Sequence, residues 1–173
     1  TGDWVSDIYS IGGAALPTAQ FGVIYKSTIP EGIVGVSYPI IEGRYTFSSE
    51  PQYPNLPMLL VQNGYIASRE FSLYTNDDTA TAGTLLFGGI DTAKFSGKLV
   101  TIDLIASGFD GFTGVVDFTL MLNGVTGIKA GSPVTFTDGA TPIHVLMDSG
   151  VSNPNLTFIL RSSPKTYVFY TLE

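Results

Sequence analysis

From Leu99 onward the chain is written as short β-forming runs cut apart by glycine-rich connections, a rhythm that leaves room for little besides strands and turns. Val100–Leu104, Val115–Leu122, Val134–Phe136 and Ile143–Met147 are the strands that this rhythm predicts. Asn123-Gly124 fits a tight hairpin turn, and Phe109-Asp110-Gly111-Phe112 reads as another turn with flanking aromatics. The first half follows the same grammar. Trp4–Ile11 stops at Gly12-Gly13 and Ala19–Tyr25 answers it, which makes a hairpin. Phe71–Tyr74 and Gly83–Phe87 flank a turn at Asn76-Asp77-Asp78, whose paired acids are a solvated tip, because neighbouring turn residues point apart. Pro30-Glu31-Gly32 is a turn before the short apolar run Ile33–Val36. Pro39, Pro51, Pro54 and Pro57 mark a long surface loop that leads into the one convincing helix. Pro57 suits its start, Met58–Asn63 supplies an apolar face and Gly64 ends it. The fold class is mainly β.

Composition narrows the partners. Of 173 residues only 13% are charged, about half the usual share of soluble domains. Apolar strands joined by uncharged Ser/Thr/Gly-rich connections produce that balance. Fifteen acids against eight bases give a net charge of -7 and no basic run to meet phosphates, so nucleic acid is not an expected partner. Without cysteine, disulfides within the segment, thiol chemistry and Cys-type zinc sites are excluded. The single histidine, His144, rules out His-cluster metal sites; inside an apolar strand it reads as a half-buried structural residue rather than a triad member. Phosphate-loop, Gly-rich dinucleotide and His-Glu-x-x-His motifs are missing, so neither metal nor cofactor is expected. No apolar stretch is long enough to span a membrane, no signal-peptide pattern opens the chain, and Thr1-Gly2-Asp3-Trp4 begins as though cut from something longer.

The stretch with chemical content is Ile143-His144-Val145-Leu146-Met147-Asp148-Ser149-Gly150, where an apolar run ends in a carboxylate, a hydroxyl and a glycine. A carboxylate at the end of a buried strand costs free energy unless hydrogen bonds or a shared proton compensate it. Two readings stand side by side. Asp148-Ser149-Gly150 is either an ordinary turn closing a strand or a carboxylate held for its shifted proton affinity.

The order of the motifs resembles one family. Asp3-Trp4 through Gly12-Gly13, Phe21-Gly22, Glu31-Gly32-Ile33-Val34-Gly35, Asn55-Leu56-Pro57, Phe71-Ser72-Leu73-Tyr74, Leu86-Phe87-Gly88-Gly89-Ile90-Asp91, Phe95-Ser96-Gly97 and finally Asp148-Ser149-Gly150 are similar, in that order, to a pepsin-like aspartic endopeptidase of the secreted fungal type that includes candidapepsins and yapsins. The resemblance covers roughly residues 1–152 and implies part of a bilobal acid-protease fold with one short helix. Residues 1–100 would be the C-terminal part of the first lobe with the interlobe strands, and residues 101–173 part of the second. It implies hydrolysis of peptide or protein substrates by a water that two aspartates activate, because carboxylates so close share one proton. Asp148 matches the second-lobe aspartate, Ser149 the hydroxyl that locks the paired loops, Gly150 the close backbone approach to dyad and substrate, and Ser152 a position that binds substrate backbone. Asn155-Leu156-Thr157 is an N-glycosylation sequon with Asn155 as acceptor, consistent with the extracellular or cell-wall location that the resemblance implies.

The chain also departs from that pattern. No second Asp-Thr/Ser-Gly is present, so the first-lobe aspartate must come from a missing segment or a second chain. Thr1-Gly2 matches the end of the flap hairpin, which places the flap tyrosine upstream. Val151 stands where the family has a hydroxyl that hydrogen-bonds the catalytic carboxylate, and valine has no donor to offer. Phe158–Ser162 and Tyr167–Glu173 resemble the closing strands, with most of the second lobe skipped. A catalytically inactive, pepsin-like binding or structural domain is the alternative. A homodimer with one aspartate per chain fits less well, because little chain follows Asp148 to complete its half of a site.

Overall fold

A computed structural model describes residues 1–28, 32–43, 50–74, 81–108, 111–137 and 143–146. Its elements run β1 (Gly2–Ile11), β2 (Ala14–Ile24), α1 (Leu56–Gln62), β3 (Phe71–Tyr74), β4 (Thr84–Phe87), β5 (Thr119–Leu122), β6 (Val125–Lys129), β7 (Ser132–Thr137) and β8 (Ile143–Leu146), with 3-10 turns at Pro39–Ile41 and Thr92–Lys94. The strands pair antiparallel as β1-β2, β3-β4, β5-β8 and β6-β7. The described elements are therefore mainly β with one short helix. Two compact units meet between Thr101 and Ile102 in the sequence.

In the first unit the hairpin and helix form a core. Gly12 and Gly13, at φ 55° and 86°, supply the two positive dihedrals that a two-residue turn matched to strand twist requires. The strand after it starts at Ala14, five residues before the predicted Ala19. Its alternation is broken on the way by a bulge: Asp7 pairs with Ala19 but Tyr9 pairs with Leu16, so Ile8 stands opposite both Pro17 and Thr18. Pro17 has no N–H for the ladder, and a bulge is where a strand tolerates it. The extra residue shifts the parity, which brings Ala14, Leu16 and Ala19 onto one buried face. Leu56, Leu59 and Leu60, spaced as one stripe of α1, pack against them, with Tyr9, Ile11, Ile66 and Phe87 at the margin.

Both ends of α1 are capped. The Asn55 side chain accepts from the Met58 N–H at 3.4 Å, and Pro57 occupies the first turn, where its missing N–H costs nothing. The helix therefore begins at Leu56, one residue before the expected start. At the other end Gly64 takes φ 75°, the Gly64 N–H reaches the Val61 carbonyl at 3.0 Å, and the Tyr65 N–H reaches that of Leu60 at 2.9 Å. That is the 6→1 and 5→2 pattern of a glycine-terminated helix. Tyr65 then acts on β2: its Oη accepts from the Ala15 N–H and donates to the Ala15 carbonyl, both at 3.1 Å, in place of a third strand. Beyond α1, the Phe71–Phe87 pair joins β3 to β4 with ring centroids 6.3 Å apart. Gly88 follows at φ 75°, and a Cβ there would lie 2.7 Å from Ile66, so only glycine fits.

The second unit departs further from the sequence expectations. Asn123-Gly124 is not a hairpin turn. Neither residue has the positive φ that such a turn needs, and the strands it joins pair elsewhere, β5 with β8 and β6 with β7. The tight turn falls at Ala130 and Gly131, with φ 50° and 81°, inside a hairpin whose first strand, β6, was not expected. Residues 100–104 form no strand, although the Ile105 N–H donates to the Thr119 carbonyl at 2.9 Å. Of the run 115–122 only Thr119–Leu122 is strand, while Val116, Asp117 and Phe118 are buried without being part of it. His144, opposite Met121, is exposed and not half-buried. The turns expected around Pro30-Glu31, Asn76-Asp77-Asp78 and Phe109-Asp110, and the closing runs after residue 157, lie partly or wholly outside the described residues.

All four sheets have two strands among the described residues, so each strand has one edge without a ladder partner there. Large apolar side chains also face solvent: Ile33 is 82% exposed, Ile128 80% and Tyr25 69%. Open strand edges recruit other chains, and exposed large apolar side chains add to that tendency. Residues 1–173 purified alone are therefore expected to elute as oligomers and to bind a hydrophobic dye. A monodisperse monomer with a cooperative melt and no dye binding would show a self-sufficient β domain.

Candidate functional site

Strand β8 carries the chain toward the expected site. Three of its four residues, Ile143, Val145 and Leu146, are apolar, and it pairs with β5 from Thr119↔Leu146 to Leu122↔Ile143. Two residues after Leu146 comes Asp148. Asp148, Ser149, Gly150, Val151, Ser152 and Asn155 all lie outside the described residues, so their expected roles remain expectations.

The described residues of this unit hold one buried carboxylate of their own, Asp117, 6% exposed. Its Oδ1 accepts from the Thr119 N–H at 3.1 Å, and Thr119 is itself 3% exposed at the head of β5. A short side chain that caps the backbone two residues on is ordinary turn chemistry, here in a dry setting. The sequence signal was an acid inside the apolar run Val115–Leu122, which strand alternation made easy to overlook.

In the first unit, sequence reasoning missed a polar cluster around Glu42. The Tyr53 hydroxyl donates to Glu42 Oε2 at 3.0 Å, and the Asn55 side chain also hydrogen-bonds this carboxylate. Asn55 Nδ2 donates to the Ser37 carbonyl at 2.5 Å, while its Oδ1 caps α1. Tyr53 and Asn55 are buried, which corrects the expectation that the proline-rich stretch stays on the surface to its end. The Trp4 ring meets Tyr53 edge-on, centroids 5.7 Å apart, so the cluster also touches β1. Burial pushes the Glu42 carboxyl above the usual carboxylate range, and the hydrogen bonds from Tyr53 and Asn55 offset part of that rise. Asn55-Leu56-Pro57 was a readable cap signature, whereas nothing in the local spacing singles out Glu42.

Other chemistry is sparse. A surface recess lined by Ser72, Tyr74, Thr84, Asp91 and Lys94 has a cavity volume of about 10 Å³, room for a single water and far below the roughly 300 Å³ at which small-molecule sites begin. Its lysine lies 4.9 Å from the centre of the Tyr74 ring, and its aspartate accepts from the Ala93 N–H at 3.0 Å. Among the described residues no group of three or more His, Cys, Asp or Glu side chains could hold a metal. Nor is any helix there long and apolar enough to cross a membrane.

Comparison with known proteins supplies the context. A sequence model of the family described as eukaryotic aspartyl protease matches residues 1–158. The chain is 42% identical over 153 residues to the protein named "Probable aspartic-type endopeptidase OPSB" of Arthroderma benhamiae, covering 88% of this chain and 30% of that protein. It is 37% identical to an acid protease of Saccharomycopsis fibuligera, with 87% and 38% covered, and 35% identical to candidapepsin-2 of Candida parapsilosis, with 88% and 34% covered. The chain thus spans about a third of the length of these relatives.

Proposed function

Since this chain belongs to the eukaryotic aspartyl protease family, we propose that it forms part of a pepsin-like aspartic endopeptidase in which Asp148 is one of two catalytic aspartates. The observation that carries this reading is the family match through residue 158, which takes in Asp148-Ser149-Gly150. Residues 1–100 belong to the first lobe and its interlobe strands, residues 101–173 to the second, and the partner aspartate comes from a segment or chain beyond these 173 residues.

The chemistry follows from two carboxylates held close together. They cannot both ionise, so in acid they share one proton and hold one water. One takes a proton from the water as it attacks the peptide carbonyl, and the other donates to the carbonyl oxygen. The Ser149 hydroxyl fixes the loop, Gly150 lets the backbone come close, and Ser152 binds the backbone of a peptide or protein substrate. Asn155 carries a glycan in a protein delivered to the cell exterior or cell wall. Neither metal nor cofactor takes part.

A specific feature favours the second reading, a non-catalytic domain. Val151 denies Asp148 the side-chain hydroxyl that usually supports the catalytic carboxylate. The test is hydrolysis of a fluorogenic peptide across acidic pH by the native full-length protein, with and without a statine-type inhibitor. We expect inhibitor-sensitive cleavage in acid. Val151→Thr is expected to raise it by roughly 2- to 10-fold, the value of one added hydrogen bond. No cleavage from either form would establish the non-catalytic reading.

A further inference from the structure

Asp117 is a buried acid that the chemistry proposed for Asp148 does not use. It sits in the run Val116–Leu120, whose residues are all buried. Its Oδ1 accepts from the Thr119 N–H at 3.1 Å, and the Thr119 carbonyl accepts from the Ile105 N–H at 2.9 Å. Both backbone groups of Thr119 are thus engaged from outside the β5–β8 pair. Thr119 is the first residue of β5 and lies opposite Leu146, the last of β8. Asp148 follows Leu146 by two residues, no more than about 7 Å of extended chain.

The ladder has only four rungs, from Thr119↔Leu146 to Leu122↔Ile143. Strand register is firmly set where one face is buried and weakly set where it is not. On β8, His144 and Leu146 are exposed and Val145 is half-buried, whereas Thr119 and Leu120 of β5 are buried. The fixed side of the ladder is therefore β5. A slip of one residue would move whatever follows Leu146 by about 3.3 Å and turn it to the opposite face. Reacting groups misplaced by about 1 Å can lose roughly 10²-fold in rate.

We propose that Asp117 is a positioning residue: through Thr119 it fixes the end of the β5–β8 ladder from which the chain runs on to Asp148. Its consequence for catalysis rests on the peptidase reading, while the fixing itself rests on the described ladder alone. What the role needs is an acceptor for the Thr119 N–H. Without one, a donor in this dry run goes unsatisfied, and the head of β5 loosens to reach water.

The test compares Asp117→Ala with Asp117→Asn in the native full-length protein. Hydrogen exchange by mass spectrometry reads a peptide covering residues 143–150, with one covering residues 125–137 of the β6–β7 hairpin as the control for unfolding of the whole unit. Hydrolysis of a fluorogenic peptide in acid reads kcat and KM separately. For Asp117→Ala we expect exchange of 143–150 to rise and kcat to fall, each by roughly 10-fold, with KM within about 2-fold and the control peptide unchanged. For Asp117→Asn we expect both readouts within about 2-fold of the natural protein, since its side-chain oxygen still accepts the bond. Natural exchange and kcat in Asp117→Ala would overturn the proposal. So would protection lost equally from both peptides, which would make Asp117 a residue of general stability. An asparagine variant that fails as the alanine variant does would overturn it too. If the natural protein cleaves nothing, the peptidase reading falls, and the exchange results decide by themselves whether Asp117 fixes the ladder.

Discussion

Asp148→Asn is expected to abolish peptide cleavage by the native full-length protein, a loss of at least about 10²- to 10⁴-fold, the range of a positioned acid or base. Asparagine is nearly isosteric with aspartate and can still hydrogen-bond, but it cannot share a proton with a second carboxylate or take one from water. The whole dyad fails when one member goes, so the effect on kcat should be near total while the fold stays intact. Hydrolysis of a fluorogenic peptide in acid, with circular dichroism as the control for folding, reads both. Cleavage that survives the change would remove Asp148 from the chemistry.

The second large effect concerns stability. Leu16 is fully buried, at 0% exposed, where the bulged strand β2 meets the stripe of α1. Leu16→Ala should destabilise the unit by about 2–5 kcal/mol, from the lost transfer of the side chain plus the cavity left behind. The site can collapse little, because Tyr65 holds the backbone at Ala15 from the outside. Against a domain stability of about 5–15 kcal/mol that is a large fraction. Ile128→Ala, at a side chain 80% exposed, should change stability by no more than about 0.5 kcal/mol. Urea denaturation of the native full-length protein with each change separates the two. Equal effects would mean that the core is not centred on Leu16.

Local signals were legible where the physics is local. Gly12-Gly13 announced a hairpin, Phe71–Tyr74 emerged as the strand expected of it, and the leucines after Asn55 formed a helix. Failures came where the decisive contact is distant in sequence. Asn123-Gly124 has the composition of a tight turn, yet β5 finds its partner in β8, twenty residues further along, and the turn composition is spent on a connection between sheets. Ala130-Gly131 makes the real turn with an alanine at positive φ, a choice that no local rule favours. Pro17 looked like the end of a connection, because a bulge in mid-strand interrupts the alternation by which strands are read.

The candidate site divides the same way. Asp148-Ser149-Gly150 stood out because three adjacent residues carry a chemical pattern, and its neighbours in order pointed to the family to which the chain belongs. Glu42 did not stand out. Its partners Tyr53 and Asn55 lie 11 and 13 residues away, and only folding brings them together in a dry cluster. Asp117 was hidden for the opposite reason, since an acid alternating with apolar residues looks like the solvent face of a strand, although it is buried.

The central claim is that this chain carries one aspartate of a pair whose other member lies beyond it. Native mass spectrometry of the natural material, taken from the fraction that cleaves peptide in acid, tests that claim most directly. We predict a species well above the mass of 173 residues, either as one longer chain or as this chain with a second, and bearing a further Asp-Thr/Ser-Gly. An active species composed only of residues 1–173, whether as one copy or as two, would contradict it.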